Sequence, residues 1–170
     1  GEALLLGGYT AVMDAGELLQ YGPTADVFHK PQSLRVARAF SDPPMNLLAA
    51  NATTGGVQLT GGAMVNLDLP ATASLQLTVG LRASALHESR TEGDVALAGV
   101  VELAEISGSD TFVHAHTPVG EVVAQLTGVH YFELGSSVTL YFNPAQMYLF
   151  GSDGALLLAR AARQVVVAAQ

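Results

Sequence analysis

The stretch that decides the fold runs from residue 95 to residue 126 and reads VALAGVVELAEISGSDTFVHAHTPVGEVVAQL. Three runs of strand-forming residues are interrupted by turn signals, one around Gly108 and one at residues 118–120. Short apolar runs bounded by glycine and proline are typical of β-strands joined by tight turns. We therefore predict three antiparallel strands here, and Gly99 inside the long first run predicts a bend or bulge.

The same texture continues on both sides of this stretch. Strands this short, separated by turns this regular, predict a mainly β fold, an OB-like small barrel over residues 43–154. The further strands that we predict are at residues 47–53, 56–59, 64–67, 75–82, 137–142 and 147–150. Residues 155–170 form an apolar tail whose alanines favour helix and whose valines favour strand, and of the two we favour helix.

Residues 1–42 differ in character from the rest of the chain. Two strand-like runs flank a DAG turn at residues 14–16 and predict a hairpin. Two short helices are predicted after it. The first begins at Thr24 and is ended by Pro31, and the second begins near Ser33 and is ended by the proline pair at residues 43–44.

Charge and composition exclude several classes of function. The net charge is −8, and the seven Lys and Arg residues are scattered apart from a short cluster at residues 30–38, so no nucleic-acid partner is expected. The absence of cysteine excludes disulfides, thiol catalysis and zinc–thiolate sites. No apolar run approaches the ~20 residues of a membrane-spanning helix, and the apolar patch at residues 3–6 is too short for a signal peptide. We expect a soluble globular chain.

The one lysine of the chain, Lys30, stands in the context His-Lys-Pro. A P-loop requires a glycine-rich loop that ends in Gly-Lys-Ser or Gly-Lys-Thr, because its amides and lysine hold the phosphates. This context cannot provide one. We therefore expect no nucleotide cofactor in these residues and no ATP hydrolysis by them alone.

Histidines and carboxylates offer the remaining candidates for chemistry. His114 and His116 are two residues apart, so a strand would present both on one face, and Glu121 or His130 could complete a metal site. The interpretation that we favour is the polar outer face of a half-buried strand, with no metal. Glu102 stands three residues before Glu105, a spacing that places the two carboxylates on opposite faces of a strand.

A nucleophilic site is also not indicated. Ser107 or Ser109, with Asp110 and His114, would supply the residue types of a hydrolase triad. The GSD sequence at residues 108–110 is better interpreted as a hairpin turn. We therefore predict no catalytic residues.

Residues 11–48 read AVMDAGELLQYGPTADVFHKPQSLRVARAFSDPPMNLL. The run resembles a junction in the ATP-binding subunits of ABC importers of the maltose and glycerol-3-phosphate type. In that family a D-x-G turn and a Q-x-G-x-P ending precede two short helices and a phrase close to S-P-x-M-N. The matching residues here are Asp14, Gly16, Gln20, Gly22, Phe40, Pro44, Met45 and Asn46. The chain departs from the pattern at Pro23, one place early, and at Ser41-Asp42, which replaces an Ile-Gly-Ser stretch.

Three later segments are similar to the same family in order and spacing. They are VGLR at residues 79–82, VELAEISGSDTFV at 101–113 and GSSVTLYFNPAQMYLF at 135–150. Ala83-Ser84 stands where the family has Pro-Glu, and Tyr148 where histidine is common. The resemblance covers residues 2–154 almost completely and leaves 155–170 unmatched.

The resemblance implies a division of the chain. Residues 1–42 would be the end of a nucleotide-binding domain, beginning just after its switch histidine, and 43–154 the OB-like regulatory domain, called a TOBE domain. ATP and Mg²⁺ would bind in the nucleotide-binding domain, whose P-loop and LSGGQ signature this chain lacks.

The resemblance also implies a function and partners. The function is regulation and dimerisation of the ATP-binding subunit of an importer for sugars or polyol phosphates. The partners are a second copy of the subunit, membrane permease subunits and, in some members, a regulatory protein, on the cytoplasmic face of the membrane. The candidates for the regulatory or dimer interface are Gly99, Glu105, Gly135, Phe150 and Arg82.

One alternative stays open at this point. Related domains bind small oxyanions such as molybdate or tungstate, and Arg82, beside a predicted strand end, is the one basic residue placed for that role. Binding of single-stranded nucleic acid is not expected, because the chain is acidic and its aromatic residues are sparse.

Overall fold

The structure, a computed structural model, describes residues 2–39, 43–69 and 75–159. Within these ranges the chain forms thirteen strands and two six-residue α-helices. In chain order they are β1 (Glu2–Leu6), β2 (Tyr9–Asp14), β3 (Glu17–Pro23), α1 (Thr24–His29), α2 (Leu34–Ala39), β4 (Asn46–Thr53), β5 (Gly56–Leu59), β6 (Met64–Asn66), β7 (Gln76–Leu81), β8 (Val95–Ser107), β9 (Asp110–Thr117), β10 (Gly120–Thr127), β11 (Ser137–Phe142), β12 (Tyr148–Phe150) and β13 (Leu156–Leu158). No helix in the described ranges is long and apolar enough to cross a membrane.

Strands β1, β2 and β3 form an antiparallel sheet of their own near the start of the chain. The predicted hairpin is confirmed, and Gly16 takes the left-handed conformation at its turn, with φ of 77°. Both predicted helices also form, and they pack on one face of the sheet. Val12, Val27 and Val36 are fully buried between the sheet and the helices.

The mainly β prediction is confirmed for the rest of the described chain, where two antiparallel sheets enclose one core. The strand order is β10-β9-β8-β11 in the four-stranded sheet and β13-β12-β7-β4-β5-β6 in the six-stranded sheet. Inward and outward residues alternate along β9, where Val113 and Ala115 are buried and His114 and His116 face away from the core. The two inner faces therefore share a single apolar interior.

The bulge in β8 lies beyond the predicted position. Gly99 pairs regularly with Val138, whereas the register with β9 shifts between Val101 and Leu103. Gly99 has a different requirement: a Cβ there would lie 2.7 Å from the backbone oxygen of His116. The glycine thus permits the close approach of β9, and the bulge inserts Glu102 as the extra residue.

Asn46 joins the two barrel sheets. It begins β4 in the six-stranded sheet, and its side chain faces the edge strand β10 of the other sheet. The Asn46 Nδ2 donates to the Val123 carbonyl oxygen over 2.9 Å, and the Val123 amide donates back to Asn46 Oδ1 over 2.8 Å. One buried amide side chain therefore satisfies both backbone groups of an edge residue.

The prediction of a helical tail is wrong where the structure describes it. Residues Leu156–Leu158 form β13, which pairs with β12, because the edge of β12 offers hydrogen bonds that a separate helix would not use. Residues 160–170, the rest of the predicted tail, lie outside the described ranges. The domain boundaries at residues 42 and 154 stay predictions.

The early segment, residues 2–39, packs on the barrel close to β13. The amide of Leu156 donates to the Gln32 carbonyl oxygen over 2.9 Å, and the amide of Leu34 donates to that of Gly154 over 3.0 Å. A second apolar cluster lies beneath these bonds and draws residues from both sides of the joint: Ala37, Met45, Tyr148 and Phe150.

Candidate functional site

Arg82 lies inside the joint between the early segment and the barrel. It follows β7 directly and is buried. Its Nη2 donates to the Phe28 carbonyl oxygen over 2.6 Å, and its guanidinium carbon lies 4.0 Å from the centre of the Phe28 ring. A cation over an aromatic face and a charged hydrogen bond both stabilise this contact. Arg82 therefore fastens α1 to the barrel, and the oxyanion alternative loses the one basic residue on which it depended.

The other four interface candidates do not form one site. Phe150 is fully buried in the joint cluster. Gly99 lies within β8, whereas Gly135 lies beside that strand in a turn with φ of 82°. The Gly135 amide donates to the Val101 carbonyl oxygen over 2.7 Å. Glu105 is exposed on β8 opposite Phe112 of β9. The regulatory roles of these residues stay predictions.

The second half of β8 has a free edge. Strand β11 pairs with β8 only as far as Val100, and among the described residues no strand continues this pairing along residues 102–107. Leu103 and Ile106 are exposed there, beside the charged Glu105. An unpaired edge with apolar side chains is a surface on which another chain can dock, while its carboxylates discourage unspecific pairing.

A cluster of three side chains crosses the outer face of the four-stranded sheet beside this edge. His116 Nδ1 lies 2.5 Å from Glu121 Oε1 and 3.7 Å from Glu102 Oε1. The hydrogen bond to Glu121 raises the pKa of the His116 imidazole, and the same bond lowers the pKa of Glu121. All three side chains are exposed, between 52% and 64%.

This cluster corrects two interpretations made from the sequence. Of the four residues considered for a metal, the structure brings only His116 and Glu121 together, while the His130 Nδ1 lies 2.9 Å from Glu88 in a separate pair. The separation of Glu102 and Glu105 onto opposite faces is also wrong, because Glu102 is itself the extra residue of the bulge and contacts His116. Glu105 pairs with Phe112, which lies on the same face of β9 as His116. Strand periodicity alone could not locate Glu102, since a bulge depends on the partner strand.

Comparison with known proteins finds a family match for the part of the barrel that carries this cluster. Residues 79–150, from the end of β7 to the end of β12, match the family model of the TOBE domain. These residues are a TOBE domain. The four-stranded sheet, the free half of β8 and the three-residue cluster all belong to the TOBE domain, whereas the sheet β1–β3 and strands β4, β5 and β6 precede it.

Curated relatives match well beyond the TOBE domain. The chain is 32% identical over 158 residues to the sn-glycerol-3-phosphate import ATP-binding protein UgpC of Chromohalobacter salexigens, an alignment of 91% of this chain and 43% of that protein. It is 29% identical over 162 residues to the alpha-glucoside transport ATP-binding protein AglK of Rhizobium meliloti, covering 90% and 44%. The chain thus spans less than half the length of the curated relatives that it matches.

One solved structure has a distant likeness to the chain. It is a cytoplasmic molybdate-binding protein, ModG, with molybdate bound, and it covers 61% of this chain and 94% of its own at 16% identity and a TM-score of 0.48. At this distance nothing about ligand binding follows.

Proposed function

We propose that these residues regulate and pair the ATP-binding subunits of an ABC importer for sugars or polyol phosphates. The observation that carries the proposal is the similarity to importer ATP-binding proteins over 91% of the chain, since it includes the early segment as well as the TOBE domain. ATP and Mg²⁺ would bind elsewhere in the whole subunit, which would work at the cytoplasmic face of the membrane through permease subunits.

The sheet β1–β3 supports the view that a further part of the subunit packs on this chain. One face of the sheet covers the helices, and the other presents apolar side chains to solvent. By register, the open face carries Leu4, Leu6, Tyr9 and Tyr21, all exposed, and the two tyrosine rings stack with centres 5.7 Å apart. A contiguous apolar face of this kind is typical of a surface that is covered in the complete protein.

The 170-residue chain by itself should therefore self-associate through this open face. Replacing Leu6 and Tyr21 together with lysine puts two charges on the face, so we expect association measured by sedimentation velocity to weaken by roughly tenfold or more. A matched control, Leu134→Lys, adds a charge at an exposed leucine far along the chain and should leave association unchanged. If the double variant associated as strongly as Leu134→Lys, the open face would not be the contact surface.

The proposed pairing of two subunits is assigned to the free half of β8. This edge offers unpaired backbone groups and the exposed side chains of Leu103 and Ile106 within the TOBE domain. A second copy could extend the four-stranded sheet there or pack on the two side chains. The proposed regulatory protein would bind to the outer face of the four-stranded sheet, which this pairing leaves uncovered.

The test uses the intact subunit, whose mass in solution is measured with and without ATP. We expect a dimer, and we expect Ile106→Lys to shift it to monomer in the absence of ATP, because a buried unpaired charge disfavours association. Leu75→Lys, at an exposed leucine outside the TOBE domain, is the matched control. A strict monomer of the unchanged subunit in both conditions would sink the proposed pairing, whereas a dimer untouched by Ile106→Lys would only move its location.

A further inference from the structure

We propose that Glu102, His116 and Glu121 bind a divalent transition-metal ion of the zinc class. The three residues stand on three neighbouring strands, β8, β9 and β10, and each can offer one ligand atom, all of them within 4.8 Å of one another. Glu102 lies in the free half of β8, but the metal proposal does not rest on the proposed pairing.

The backbone explains why these three side chains converge. Glu121 and His116 are directly opposite each other in the β10–β9 ladder, next to the short turn that joins the strands. Glu102 is the extra residue of the bulge in β8, and the bulge turns its carboxylate towards His116. Three adjacent strands of one sheet therefore fix the starting points of all three ligands, so little order has to be gained on binding.

The donor set selects the class of ion. One imidazole nitrogen and two carboxylate oxygens are ligands that zinc and neighbouring transition ions accept, whereas Mg²⁺ prefers oxygen donors alone and holds its water. Two carboxylates beside each other also favour a cation between them, and a divalent ion with a neutral imidazole brings the local charge to zero. Because the side chains are exposed, water would complete the coordination, and the affinity should be moderate.

The competing explanation is an ion-paired surface in which a protonated His116 offsets one of the two carboxylate charges without any metal. Both explanations use the same contacts, but they differ in what happens when zinc is added. A proton on His116 has to leave before the ring can bind a metal, so binding of zinc would replace the ion pair rather than add to it.

The experiment is isothermal titration of the tag-free 170-residue chain with ZnCl₂, with MgCl₂ as the comparison ion. We expect one zinc per chain with a Kd in the micromolar range, and no heat with magnesium at the same concentration. His116→Ala and Glu121→Gln should each weaken zinc binding at least roughly tenfold. His114→Ala, on the same strand and the same face, and Glu105→Gln, on the strand of Glu102, should leave it unchanged.

A second measurement tests whether the heat of zinc binding arises at this site. The ring nitrogens of His116 should shift in a ¹⁵N NMR spectrum on addition of zinc, while those of His114 and His130 stay in place. Since all three ligands are exposed, the variants should keep the thermal midpoint of the unchanged chain without metal, which separates loss of binding from loss of fold. Absence of zinc heat, or binding that survives both His116→Ala and Glu121→Gln, would overturn the proposal in favour of the plain ion pair.

Discussion

Replacing Phe150 with alanine is expected to lower the free energy of unfolding by about 3–5 kcal/mol. The ring is fully buried in the cluster that joins the early segment to the barrel, in company with Ala37, Met45 and Tyr148. The packing is tight, because a Cβ on Gly80 would come within 3.1 Å of the Phe150 ring. Truncation would remove apolar contacts and leave a cavity that the neighbouring strands cannot close.

Chemical denaturation followed by circular dichroism measures this loss. Tyr131→Ala is the matched control, since Tyr131 is an aromatic residue that is 88% exposed, and its removal should change stability by less than about 0.5 kcal/mol. The result also tests the candidacy of Phe150 for a subunit interface. If Phe150→Ala proved as stable as the unchanged chain but failed to pair, the side chain would act at a surface and its buried position would be wrong.

The second large effect is expected at Asn46, where alanine should cost about 2–4 kcal/mol. Its side chain makes two hydrogen bonds to Val123, one as donor and one as acceptor. Alanine would remove both and leave the amide and carbonyl of an edge-strand residue without their partner at the joint between the two sheets. The penalty of stranded backbone groups adds to the loss of the bonds themselves.

Asn51 provides a control on the same strand. It is an exposed asparagine of β4, so Asn51→Ala should change the unfolding free energy by less than about 0.5 kcal/mol. Asn46→Asp separates the two bonds, because an ionised carboxylate can accept from the Val123 amide but cannot donate to its carbonyl. We expect Asp to fall between Asn and Ala. Equal stability of Asn46→Ala and Asn51→Ala would contradict a role for Asn46 in joining the sheets.

Much of the fold could be predicted because strand and turn signals are local. All nine strands predicted for the barrel correspond to β4–β12. Strand β1 was missed, since Glu2–Leu6 carries a continuous apolar run without the alternation that marks a half-buried strand. The strand forms because its backbone pairs with β2, which the local sequence does not reveal.

The candidate site was less accessible to prediction. The sequence placed His116 and Glu121 among possible ligands, but Glu102 joined them only through a register shift against β9. Arg82 was assigned a surface role, because a lone arginine after a strand carries no local sign that the Phe28 ring and carbonyl group will cover it. Both outcomes depend on residues distant in the chain.

The run at residues 95–126, taken alone, determined three strands and their turns, since glycine and proline positions restrict the backbone directly. The sequence also determined that these residues contain no P-loop, because their single lysine precedes a proline. Only the tertiary structure decided where β8 bulges and which strand Asn46 joins by hydrogen bonds. It also decided which three side chains meet on the outer face of the four-stranded sheet. Such features arise from the atoms that lie opposite one another, and strand periodicity specifies a face of a strand without specifying its partner.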